Sequence, residues 1–267
     1  MRVGVVGHVE CVEFLRVPQV PSPGDIVQST ESWAEPAGGG AVAAVVLSHL
    51  AGEATLFTVL GDDEVGHRAK DELTRLGLRV ECAFRAEPQR RAVTLVDDAH
   101  ERTITLIGGK LRPRIDDPLP WGELAGFDAI YFTAGEPEVV RAARQARILV
   151  ATARELDYLR PAHVPIDVLV SSGTDPAEHY GGGLEPAPSM IVRTRGSSGG
   201  SYDPGDHAWR PATPPGKIVD AYGAGDSFAA GLTFALAKGL SHQEALEVAA
   251  QSGAAALTRR GAYGEQR

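Results

Sequence analysis

The chain has 267 residues, 43% of them hydrophobic and 23% charged. These are ordinary values for a soluble globule and exclude disorder as the main state; the length suits one large α/β domain or two small ones. Lys and Arg number 26 against 35 Asp and Glu, a formal charge of −9, which argues against a nucleic-acid partner, whose binder normally carries a basic surface.

From the N-terminus, the apolar run 3–6 ends at Gly7 and His8. It is too short for a signal or membrane segment and reads as a buried first strand. Residues 14–35 are rich in Pro and Gly and offer only short extended pieces. Continuous apolar runs at 55–60, 129–133, 148–151, 168–171 and 190–194 read as strands covered by helices on both faces. Asp62 or Asp63 caps a helix with Val65, Ala69, Leu73 and Leu76 on its apolar face and Gly77 at its end. In 91–107, two β-type runs flank Asp97-Asp98-Ala99-His100, the pattern of a hairpin. Ser241-His242-Gln243-Glu244 is a capping box opening the last long helix. The alternation predicts α/β architecture with a mostly parallel sheet, in a single domain over 1–267. Segments of about 12–35 and 88–108 are inserted in it as a small β lid. Cys11 and Cys82 form no CxxC and read as reduced thiols. No segment is long and apolar enough to span a membrane, so no membrane partner is expected and the expected compartment is cytoplasmic.

The densest chemistry lies at Asp220-Ala221-Tyr222-Gly223-Ala224-Gly225-Asp226-Ser227-Phe228. An amphipathic helix follows, with Phe228, Leu232, Ala235 and Leu236 on one side. The first-turn N–H groups of Ala224, Gly225 and Asp226 have no helical partner and sit at the positive end of the dipole, where they can hold a phosphate. A carboxylate at the mouth of an anion site suits a base beside an acceptor hydroxyl. Read from these residues alone, a glycine-rich turn with Asp226 as a first-turn charge is equally open. Gly4-Val5-Val6-Gly7 lacks the G-x-G-x-x-G spacing of a dinucleotide site.

Gly223-Ala224-Gly225-Asp226-Ser227-Phe228, with Asp220 before it and Ala230-Gly231 after, resembles the C-terminal signature of the ribokinase (PfkB) family of sugar kinases. Three further stretches agree in order: Ala37-Gly38-Gly39-Gly40 before a helix, Leu60-Gly61-Asp62-Asp63-Glu64-Val65-Gly66, and Thr194-Arg195-Gly196-Ser197-Ser198-Gly199-Gly200. The resemblance runs nearly end to end. It implies a ribokinase-like three-layer α/β/α sandwich and ATP-dependent phosphorylation of a hydroxyl of a sugar or sugar derivative. Asp226 would be the catalytic base and Gly223, Ala224 and Gly225 the anion hole. Thr194, Gly196 and Gly199 would bind ATP. Asp175-Pro176-Ala177-Glu178 resembles the family's Asn-x-x-Glu motif, so Asp175 and Glu178 would serve Mg²⁺ through water; a solvated helix start is the alternative. Asp220, with 253–261, would frame a monovalent cation such as K⁺. A homodimer through the lid is compatible with this arrangement.

The acceptor side departs from the family. Gly38 and Gly39 keep the glycine turn, but the usual sugar-contacting Asn aligns with Val42, or with Ala43 after a one-residue shift, and neither can bond a hydroxyl. The usual Asp after the first strand falls nearest Val12, leaving Glu10 or Glu13 as substitutes, or as carboxylates on an exposed edge. Arg91, Arg102, Arg112 and Arg114 could meet an anionic acceptor, but the favoured reading is solvated lid charges and a neutral acceptor. The altered contacts keep a nucleoside kinase as an alternative, and a weak sugar or nucleotide sensor is another; the intact Asp226 and anion hole argue against a dead enzyme.

Overall fold

In a computed structural model the described residues are 1–264. Two sheets form. The larger has nine strands, β1 (Val3–Val6), β4 (Ala54–Gly61), β5 (Leu78–Arg85), β8 (Ala129–Phe132), β9 (Ile148–Thr152), β10 (Val168–Ser172), β11 (Met190–Thr194), β12 (Gly200–Asp203) and β13 (His207–Trp209), in the order β13-β12-β11-β10-β9-β8-β1-β4-β5. The seven strands from β11 to β5 pair in parallel, and β12 and β13 add an antiparallel edge. The smaller sheet takes β2 (Glu10–Arg16), β3 (Glu31–Ala37), β6 (Arg91–Val96) and β7 (Arg102–Ile107), in the order β3-β2-β6-β7.

Helices cover both faces of the large sheet, giving three layers. α1 (Gly38–Ala51), α2 (Glu64–Arg75), α5 (Ala224–Ala237) and α6 (His242–Ala256) share one apolar cluster, which includes Val45, Leu47, Leu56, Leu73, Leu232 and Leu246. α3 (Pro137–Ala143) and α4 (Leu156–Leu159) join the other, around Phe57, Phe132, Leu149 and Leu159. Burying apolar surface on both faces explains why the central strands carry unbroken apolar runs. Helix ends follow local chemistry. Asp63 caps α2 by accepting from the Gly66 N–H at 2.8 Å, and Ser241 and Glu244 form the reciprocal capping box of α6.

Chain order reverses at β1, which lies between β4 and β8. A parallel sheet leaves a crevice beyond the carboxyl ends of its strands at such a point. The chain leaves β1 through Gly7 and His8 into the small sheet and returns at the N-terminus of α1. The residues at both exits therefore meet at one place.

Candidate active site

The site grows from the turn before α5. Asp220 is fully buried; one carboxylate oxygen accepts from Tyr222 N–H and the other from Gly261 N–H, each at 2.8 Å. Burial raises its pKa above the ordinary value, and these two bonds act against that rise. The turn delivers Gly223 as the N-cap of α5 with φ +70°, a left-handed conformation that glycine adopts without strain. A Cβ there would approach Val42 Cγ1 to 2.8 Å. No side chain caps the helix, so the first-turn N–H groups are left for an anion. Gly225 faces open space.

Asp226 stands in this first turn, partly exposed. Its Oδ1 lies 2.8 Å from the point where a Cβ on Gly39 would sit, and His8 Cε1 lies 3.6 Å from the same point. The start of α1, the end of β1 and the start of α5 thus converge on one carboxylate. Its pKa is pushed up to about 6, first by burial and then by the negative charge of Glu178; Arg102 and Arg154 act in the opposite direction.

On one side of Asp226, Asp175 and Glu178 follow β10. Asp175 caps a single 3₁₀ turn by accepting from Ala177 N–H at 2.9 Å. The sequence reading missed Arg154, whose guanidinium bridges both carboxylates at 2.7 Å. Thr194 closes β11 and donates to the Ser171 carbonyl at 3.4 Å. Gly196 has φ +54° and nothing beside it within 4 Å, whereas Gly199, with φ +76°, packs against Trp209 and Pro211 and turns the chain into β12.

On the other side lies a cluster the sequence did not bring together. Glu10 is buried and meets Arg90 Nε at 2.9 Å and His8 Nε2 at 3.4 Å. Glu155, fully buried before α4, holds Lys110 Nζ at 2.8 Å and Arg112 at 2.5 Å. Glu13 points away, exposed on the other face of β2, because residues three apart on a strand face opposite sides. Val42 is fully buried with Val12, Phe14 and Tyr222, so it presents no surface to an acceptor. Gly38 N–H donates to the Tyr222 hydroxyl at 3.3 Å. Of the four arginines expected as solvated charges, Arg91 is exposed, Arg114 pairs with Glu136, Arg102 donates to the Ala221 carbonyl, and Arg112 is drawn inward by Glu155.

Comparison with known proteins covers the whole chain. The profile of the family described as pfkB family carbohydrate kinase matches residues 2–143 and 127–266. The ATP-dependent ribose-1-phosphate kinase of Halopiger xanaduensis is 28% identical over 98% of this chain and 94% of its own. The fructosamine kinase FrlD of Bacillus subtilis is 33% identical over 119 residues, 43% of this chain and 42% of that protein. Among solved structures, a putative ribokinase from Agrobacterium tumefaciens superposes with a TM-score of 0.84 at 23% identity, over 98% of this chain and 93% of that one. Phosphofructokinase-2 from Escherichia coli superposes with a TM-score of 0.77 at 17% identity, over 97% and 94%.

Proposed function

This chain belongs to the pfkB family of carbohydrate kinases and phosphorylates a hydroxyl of a sugar or sugar derivative with ATP, and on that premise we propose that Asp226 is the base and the start of α5 the anion hole. The observation that carries the reading is the convergence of Gly39, His8 and the uncapped α5 N-terminus on the Asp226 carboxylate. The acceptor hydroxyl would lie on the His8 side and lose its proton to Asp226 as its oxygen bonds to the γ-phosphorus, while the bond from that phosphorus to the ADP oxygen breaks. The N–H groups of Ala224, Gly225 and Asp226 would bind the phosphoryl oxygens as negative charge develops on them. Thr194 and Gly196, with Gly199 shaping the turn, would line the nucleotide side. We assign the small sheet the role of the lid. The exposed strand β7, with Ile104, Leu106 and Ile107 among its accessible residues, supports a dimer formed through it.

A base raised to about 6 has a defined signature. Only the ionised carboxylate accepts a proton, so kcat/KM is expected to fall as pH drops through about 6 and to level off above it. Rates measured between pH 4 and 8 check this; a limb in the ordinary carboxylate range near 4 would contradict the raised pKa, and a limb near 6 that persists in Asp226→Asn would belong to another group.

Asp175 and Glu178 fit a hydrated Mg²⁺: both are oxygen donors, and both already hold a cation, the Arg154 guanidinium. When bound, Mg²⁺ neutralises charge on the transferring phosphates. Arg154 competes for the same oxygens until nucleotide enters. Glu178→Gln is expected to raise the Mg²⁺ concentration needed for half-maximal rate several-fold, and an unchanged magnesium curve would return the pair to a helix start. Asp220 fits a neighbouring monovalent cation such as K⁺, since it is fully buried and forms no ion pair among the described residues.

A further inference from the structure

The acceptor side of Asp226 holds more positive charge than its own acids neutralise. Arg90, Lys110 and Arg112 enter from the start of β6 and from the segment after β7, and they meet only two carboxylates, Glu10 and Glu155. All three cations are largely shielded, with side-chain exposures of 11%, 14% and 21%. Excess charge away from water is costly unless a counter-charge arrives. The crowding shows in the neighbours. Lys110 is held below its ordinary pKa by burial, despite Glu155, and Arg112 and Arg90 lower it further. His8 is likewise lowered by burial and then by Lys110.

A second observation is independent of charge. His8 Nδ1 is buried without a hydrogen-bond partner, and so is Arg90 Nε, which reaches Glu10 at ion-pair distance without hydrogen-bond geometry. Buried polar atoms are normally satisfied, and these two lie in one cluster beside Asp226. The sugar-contacting side chains expected of a neutral acceptor are missing at the same place, with Val42 buried and Glu13 turned away.

Resting on the kinase reading above, we propose that the acceptor is a sugar already carrying an anionic group, a phosphate ester or a carboxylate, and that Arg90 and Lys110 bind it. The anion supplies the missing counter-charge and an acceptor for the unpartnered Arg90 Nε–H. Arg112 keeps Glu155 neutralised when Lys110 turns to the ligand. The hydroxyl to be phosphorylated then projects towards Asp226 from an anchor on the opposite wall.

The test offers each sugar in three forms: free, as its phosphate ester, and as its sugar acid (ribose, ribose 5-phosphate and ribonate; glucose, glucose 6-phosphate and gluconate). Binding is read by calorimetry on the full chain with Mg²⁺ and a non-hydrolysable ATP analogue, and transfer by ADP release with ATP. One anionic arm is expected to bind at least tenfold more tightly than its free counterpart, and the arm that does so tells phosphate from carboxylate. Arg90→Met and Lys110→Met, made separately, are each expected to weaken that arm by about ten- to a hundredfold, the worth of one hydrogen bond to a charged group. If one variant does not fold, the other and the wild-type panel decide. Free sugars binding as tightly as anionic ones, no binding in either anionic arm, or anionic binding unchanged in both variants overturns the proposal. Tight anionic binding without ADP release leaves it standing and removes the kinase reading instead.

Discussion

Asp226→Asn is expected to lower turnover by about 10²- to 10⁴-fold, the usual contribution of a positioned general base, while nucleotide binding persists. Asparagine keeps the size of the side chain and leaves the first-turn N–H groups of α5 unchanged, so the anion site survives. What is lost is the basicity of the carboxylate that takes the hydroxyl proton, since an amide oxygen accepts hydrogen bonds but is not a base at neutral pH. The substitution also removes a partly shielded charge whose pKa is raised to about 6, so thermal stability is expected to hold or rise at neutral pH. The sign follows from the shift: a group that is harder to ionise in the folded chain costs stability above its unfolded pKa. Steady-state kinetics with an ATP-analogue titration and a melting curve check all three parts. Near-normal turnover would exclude Asp226 as the base.

The second large effect comes from a single methyl group. Gly39 sits in the first turn of α1, where alanine is the better helix former by roughly 1 kcal/mol. Its added Cβ would lie 2.8 Å from Asp226 Oδ1, inside van der Waals contact, so the carboxylate must swing away. Misplacing a reacting group by about 1 Å can cost on the order of 10²-fold in rate. Gly39→Ala is therefore expected to lose about that much turnover with an unchanged or higher melting temperature. Unchanged turnover would mean that the carboxylate does not act from the position it holds beside Gly39.

The central strands were legible because burial on both faces leaves unbroken apolar runs, and five of the six predicted ones lie wholly within observed strands. The run 129–133 overshoots β8 by one residue, Thr133. Strand β5 was missed because it is an edge strand, half-exposed and interrupted by Arg79 and Glu81. β12 and β13 are short and carry Gly, Ser, Asp and His in place of an apolar run. The start of α5 was legible because its residues are contiguous: one turn, with Gly223 as the N-cap, sets it and leaves its first N–H groups without helical partners. The acceptor side was not, because His8 and Glu10, Arg90, Lys110 and Glu155 come from four separate segments. Only the crossing of β2, β6 and the segment after β7 joins them. Arg112 illustrates the limit: a lid arginine looks solvated in sequence, and Glu155, more than forty residues later, draws it inward.

The most direct test of the account is the ³¹P NMR spectrum of the enzyme with ATP, Mg²⁺ and the sugars, sugar phosphates and sugar acids of the acceptor panel. Transfer to a sugar hydroxyl predicts a new phosphomonoester resonance that grows in step with ADP, depends on an acceptor being present, and nearly vanishes with Asp226→Asn. ADP and inorganic phosphate appearing together without a phosphoester, or ATP persisting with every acceptor while it still binds, would contradict it.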